Sequence, residues 1–173
     1  VEAKAAVEAA ILHEGPVYLR FGRLATPIFN DPETYKFELG KGKVLIPGDE
    51  VLLVGSGYLM GDALTAAEEL RAQGISVEVV DPVTIKPFDE ELILNETKGK
   101  KLVVTYENHG TVNGIGSAVA DVLAKNGAGV PLLKLGATEI FGQVGMVDLL
   151  KEAYKLTAKD AVAEILKAWH KVN

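Results

Sequence analysis

Four short apolar runs, set apart by segments of helical length, constrain this chain most. They are VLLVG at 51–55, ISVEVVD at 75–81, KLVVTYE at 101–107 and PLLKLG at 131–136. Runs this short and this rich in Val and Leu read as strands buried on both faces. Helical patterns fill the gaps, at about 61–73 (with Leu64, Ala67, Glu68 and Arg71 along it), 89–96 and 115–125, the last stopped by Asn126-Gly127. Two more helices are expected near 146–153 and 157–171, the second capped by Thr157 with Asp160 in the capping-box position. VLI at 44–46 reads as an edge strand before the turn PGDE. Strand–helix alternation of this kind predicts a three-layer α/β domain, a mostly parallel sheet with helices on both faces. Ligands of such sheets meet the loops at the carboxyl ends of the strands.

The first 42 residues follow a different pattern. Residues 1–13 read as a helix with Ala3, Val7, Ala10 and Ile11 on one face, stopped by Gly15-Pro16. VYLRF at 17–21 reads as a short strand. One helix and one strand cannot enclose a core, so residues 1–23 read as the tail of another domain. Residues 24–42 hold Pro27, Pro32 and Asn30-Asp31 and show no sustained period, which marks a linker. The complete domain is then 43–173.

Composition removes several function classes. The formal charge of -6, with no basic stripe, argues against a nucleic-acid partner. The absence of cysteine excludes a disulfide framework, a thiol nucleophile and a zinc–thiolate site, and fits a cytoplasmic setting. His13, His109 and His170 are too scattered for a protein-built zinc site, so no metal ligand is expected. No apolar run reaches the ~20 residues of a membrane span.

Several motifs fall on the expected loops. Gly55, Gly57 and Gly61 follow a strand and open a helix, and Glu78 or Asp81 lies about twenty residues on. That is the outline of a dinucleotide site, but the spacing is GxGxxxG and Leu59 and Met60 add bulk. Close helix–sheet contact explains the glycines as well. Lys86, between Pro82 and Pro87, suits a surface or an interface. Glu107 and His109 stand where a strand meets a glycine-rich turn, as in VVTYENHGTVNGIGSAVADVL. A carboxylate can orient a proton-shuttling imidazole there, or can accept N–H groups of the turn while His109 faces a partner. Ser117 lies on the helix, away from any nucleophile elbow, so a hydrolase triad is not expected. Phe141 and Gln143, in ATEIFGQVG, suit docking. Arg23 and Arg20, in GPVYLRFGR, can pair with carboxylates or phosphates.

In order and spacing, GPVYLRFGR, VLLVGSGYLMGDALTAAEEL, ISVEVVDPVTIKPFDEELI, VVTYENHGTVNGIGSAVADVL and LGATEIFGQVGMVDLLKEAY together resemble the C-terminal part of transketolase-like, thiamine-diphosphate-dependent enzymes. The resemblance implies transfer of a two-carbon ketol unit between sugar phosphates, with thiamine diphosphate and Mg2+ bound where two chains meet. It implies that residues 1–23 end a pyrimidine-binding domain. It places no catalytic residue and no cofactor ligand in this chain, which would be inactive alone. Arg23, with Arg20 as the alternative, resembles the phosphate-reading arginine; Glu107, His109, Phe141 and Gln143 fall at an active-site edge or an interface. The implied partners are a second copy or an N-terminal transketolase portion. A 2-oxo-acid dehydrogenase β subunit and a deoxyxylulose-phosphate synthase are the alternatives within the family. A free-standing nucleotide-binding regulatory module is the alternative outside it.

Overall fold

The computed structural model describes residues 1–137 and 141–173. Among the described residues, five strands form one sheet: β1 (Lys43–Ile46), β2 (Val51–Gly55), β3 (Val77–Asp81), β4 (Leu102–Gly110) and β5 (Leu132–Ala137). Their order is β1-β3-β2-β4-β5, with β1 antiparallel at one edge and the other pairs parallel. Among the described residues the helices are α1 (Glu2–Leu12), α2 (Met60–Ala72), α3 (Glu90–Thr97), α4 (Ile115–Lys125), α5 (Val147–Ala153) and α6 (Ala158–Val172). The expected three-layer α/β architecture is present.

Every residue of β2 and β3 is buried, which is why these strands read as unbroken apolar runs. Alternation then divides their side chains between two cores. Val51, Leu53, Val77, Val79, Val104 and Tyr106 pack with α2 and α6 on one face. Leu52, Val54, Val80 and Val103 pack with α3 and α4 on the other. The buried stripe of α2 is Met60, Ala63, Ala66, Ala67 and Leu70, so Glu68 and Arg71 lie off it. Small alanines there let the helix lie close to the sheet: a Cβ on Gly55 would meet Ala63 Cβ at 3.2 Å. Helix α6 opens on Thr157, whose hydroxyl accepts the Asp160 N–H while the Asp160 carboxylate accepts the Thr157 N–H.

The N-terminal part departs from the sequence expectation in two places. VYLRF is not a strand. Residues 16–22 have no regular structure and are exposed, because no described strand lies beside them to complete a ladder. Helix α1 buries no residue fully, and its half-covered positions are Glu2, Ala5, Ala6, Ala9 and Ala10 rather than Ala3, Val7 and Ile11. The helix turns this alanine-rich face inward because Glu2 is anchored by Asn30 and Tyr35 of the following segment. That segment ends stitched to the domain, where the Gly42 N–H donates to Asp89 Oδ2 at 3.1 Å. Asp89 also caps α3 by accepting the Leu92 N–H.

Leu53 is fully buried at the centre of the α2/α6 core. Truncation to Ala removes its transfer energy and leaves a cavity, at a cost of about 2–5 kcal/mol. Urea unfolding of Leu53→Ala checks this, and a loss below about 1 kcal/mol would contradict the packing described.

Candidate functional site

The carboxyl ends of the parallel strands bring together the turn after β2, the β3–α3 loop, the entry to α4 and the segment after β5. The best-built feature among them is the entry to α4. Strand β4 runs past Tyr106 to Gly110, with an irregular register against β5 between those residues. Glu107 therefore belongs to the strand, two residues beyond Thr105 on the face that meets α4. Its carboxylate accepts the backbone N–H of Ile115 through Oε2 and of Gly116 through Oε1, the latter at 2.7 Å. Only 2% of Glu107 is exposed. A buried charge is tolerated here because helix-start N–H groups and the positive end of the helix dipole meet it directly.

The glycines serve this contact. A Cβ on Gly114 would stand 2.1 Å from Glu107 Oε2 and 2.1 Å from His109 Cε1, and a Cβ on Gly116 would stand 2.7 Å from Thr105 Oγ1. Any larger residue would displace the carboxylate. His109 Nε2 lies 3.1 Å from Glu107 Oε2, and Nδ1 lies 2.7 Å from the Gly110 carbonyl oxygen. Nδ1 faces an acceptor and so carries a proton; protonation of Nε2 as well makes the contact with Glu107 an ion pair. The imidazole is 42% exposed, so Glu107 orients a histidine that is open to whatever approaches this edge. One carboxylate thus both accepts the helix-start N–H groups and contacts His109. Ser117 Oγ accepts the Asn113 N–H at 2.9 Å and serves the turn, not a nucleophile's site.

The turn after β2 is filled by protein. Gly57 adopts φ +60° and begins a single 3-10 turn through Leu59, and the side chains of Leu59 and Met60 are wholly buried. A Cβ on Gly61 would meet Pro27 at 3.1 Å, so that glycine admits the linker. Neither acidic residue expected on a ribose is free. Glu78 pairs with Lys100 at 3.3 Å and accepts the Gly48 N–H, while Asp81 Oδ1 accepts the Val83 N–H at 2.9 Å. The described residues hold no group of three or more His, Asp or Glu suited to a metal ion. With the turn occupied by Leu59 and Met60, the described residues do not fit a diphosphate–metal group.

Residues 138–140, in the middle of ATEIFGQVG, lie outside the described residues. Beyond them Phe141 and Val144 are completely exposed. The Gln143 N–H donates to Tyr154 Oη at 2.7 Å, which ties this segment to the end of α5. Helix α5 is in turn held to α2 by Lys151, whose ammonium reaches both Asp62 oxygens at 2.7 Å. Tyr154 and the Asp62–Lys151 pair carried no signal in the sequence, since the partners are 11 and 89 positions apart. Arg20 and Arg23 are exposed on the N-terminal segment. Arg20 borders a cavity of about 310 Å³ with Glu2, Phe29, Tyr58 and Asp81, none of which is at the α4 entry. Lys86 is exposed.

Residues 40–161 match the family model described as the transketolase C-terminal domain. The chain belongs to the transketolase family. It is 42% identical over 170 residues to the 6-deoxy-6-sulfo-D-fructose transketolase subunit SqwH of Clostridium sp. (strain MSTE9), covering 98% of this chain and 51% of that protein. It is 40% identical over 160 residues to a putative transketolase C-terminal section of Methanocaldococcus jannaschii, covering 92% and 50%. Among solved structures, a split-gene transketolase described as an inactive beta4 tetramer superposes with a TM-score of 0.91 at 40% identity, over 98% of this chain and 55% of the other. The chain spans about half the length of these relatives. The fold here is the transketolase C-terminal fold.

Replacing Glu107 tests the α4 entry. Glu107→Ala leaves two buried N–H groups without an acceptor, at a cost of about 2–4 kcal/mol, since hydrogen bonds to charged groups are each worth about 1.5–3 kcal/mol. His109→Ala, at a half-exposed position, costs less than about 1 kcal/mol. Chemical unfolding of the two variants should give that order, and equal losses would remove Glu107 from its capping role.

Proposed function

We propose that this chain is the C-terminal portion of a transketolase assembly that moves a two-carbon ketol unit between sugar phosphates, and that it is inactive alone. The observation that carries the reading is the near-complete superposition on a split-gene transketolase, together with relatives twice its length. The cofactor-binding machinery then belongs to the rest of the assembly. Thiamine diphosphate held there with Mg2+ would supply the carbanion-stabilising chemistry. The missing partner is an N-terminal transketolase portion, in a homodimer or a hetero-oligomer. Residues 1–23 close a domain completed by that portion, 24–42 connect, and 43–173 support assembly.

Physical features of this chain suit those roles. Exposed Phe141 and Val144 are large apolar surfaces that association would cover. Residues 16–22 offer unpaired backbone to a neighbouring sheet. His109, oriented by Glu107, stands at the edge that a partner would meet. Arg23 presents a guanidinium for the terminal anion of the substrate, with Arg20 as the alternative. A guanidinium fork pairs with a phosphate or a sulfonate alike. The similarity to a sulfofructose transketolase subunit therefore makes a sulfonated ketose a second donor to assay.

The test mixes this chain with a matched N-terminal portion, thiamine diphosphate, Mg2+ and a ketose-phosphate/aldose-phosphate pair. Expected is no turnover by either part alone and ketol transfer by the mixture. In the active mixture, Arg23→Ala should raise KM for the phosphorylated substrate by about 10–100-fold, the equivalent of a lost charge-assisted contact, with a smaller change in kcat. Two parts that associate yet transfer no ketol unit from either donor would overturn the proposed reaction.

A further inference from the structure

The sequence holds two Asn-Gly pairs, Asn113-Gly114 and Asn126-Gly127, and both asparagines are exposed. Asparagine before glycine is prone to lose its side-chain amide, because no side chain on the glycine shields the backbone nitrogen that attacks. The attack needs a glycine N–H and an asparagine carboxamide that are both free to move. The fold treats the two pairs in opposite ways.

Asn126-Gly127 ends α4 in a Schellman motif. Asn126 is the C-cap and Gly127 takes φ +64°. The Gly127 N–H donates to the Ala124 carbonyl at 3.2 Å, and the Ala128 N–H to the Leu123 carbonyl at 2.9 Å. The Asn126 carboxamide donates to the Val122 carbonyl at 2.8 Å. The attacking nitrogen and the group it would attack are both tied to the helix end. Asn113-Gly114 stands at the other end of the same helix. Its Asn113 backbone N–H donates to Ser117 Oγ, but among the described residues neither the Gly114 N–H nor the Asn113 carboxamide has a partner. The cap itself calls for this pair. Asn113 has φ +61°, a left-handed conformation that asparagine adopts more readily than most residues, and Gly114 leaves no room for a Cβ beside Glu107 and His109.

We propose that Asn113 is a self-modification site, where the Gly114 nitrogen attacks the side-chain amide and Asn113 becomes aspartate and isoaspartate, loosening the Glu107 contact with α4 and releasing His109. The Gly114 nitrogen loses its proton to base and bonds to Asn113 Cγ. The Cγ–Nδ2 bond breaks, and the amide group leaves as ammonia with the proton restored to it. Water then opens the cyclic imide at either carbonyl, giving a carboxylate in place of the neutral amide. No oxidant or reductant enters. The isoaspartyl product lengthens the backbone by one carbon just before Gly114. Gly114 is packed against Glu107 and His109, so the lengthened turn cannot keep the Ile115 and Gly116 N–H groups on the carboxylate.

Incubation of the folded chain in mildly alkaline buffer tests this, followed by peptide mapping with fragmentation that separates aspartate from isoaspartate. Conversion should appear at Asn113, with Asn126 at least about tenfold slower, because Asn126 reacts only when the helix end opens locally. In the urea-unfolded chain the two sites should convert at comparable rates, which isolates the fold as the cause. The converted chain should unfold at lower urea than the fresh chain and show a shifted His109 imidazole resonance. Asn113→Gly, which accepts a positive φ, should keep its midpoint through the same incubation. Asn126 converting as fast as Asn113 in the folded chain, or Asn113 protected there as strongly as Asn126, would overturn the site. An unchanged urea midpoint and an unchanged His109 resonance in the converted chain would overturn the release of His109.

Discussion

The burial of β2 on both faces is the constraint on which the rest of the structure depends. Val51 and Leu53 belong to one core and Leu52 and Val54 to the other, so a single five-residue strand joins both layers of helices. Its neighbours β3 and β4 continue the division. Antiparallel β1 closes one edge next to β3, and β5 forms the other beside β4. Parallel pairing from β3 to β5 then places the strand ends and the loops after them along a common edge.

That edge is occupied differently at each strand. After β2 the space is taken by Leu59 and Met60; after β3, Asp81 borders a cavity shared with the N-terminal segment. After β4 the chain has spent two glycines to bring a carboxylate onto a helix start. Glu107 fills the position a bound anion would take at many helix N-termini. Here the anion is part of the protein, and the result is a fixed imidazole at a partly open rim. An edge of this kind suits contact between protein parts, in keeping with a chain that spans about half the length of these relatives.

Much of the domain beyond residue 42 was legible in the sequence. The five strands, α4, the capping box of α6 and the mostly parallel sheet all follow from short-range pattern, because residues buried on both faces leave little freedom in which face they present. The buried stripe of α2 was only partly legible: Ala67 belongs to it, whereas Glu68 and Arg71 do not. Alanine is too weakly apolar to mark a face, yet close packing against Gly55 makes Ala63 and Ala66 the contact residues. VYLRF has strong strand propensity and forms no strand, since a ladder needs a second backbone that propensity cannot supply.

The candidate site divides in the same way. Local sequence set Glu107, His109, Gly114 and Gly116 within ten residues of one another, and a strand–turn–helix pattern sufficed to put the carboxylate near the helix start. Sequence order also fixed the family resemblance, because five motifs in register are legible without contacts. Tertiary structure alone decided that Glu107 is buried and shared between the helix and His109, that Asp62 meets Lys151, and that Glu2 meets Asn30 and Tyr35 of the linker. Those outcomes depend on partners distant in sequence and on the exclusion of water between them, and only the folded chain sets either one.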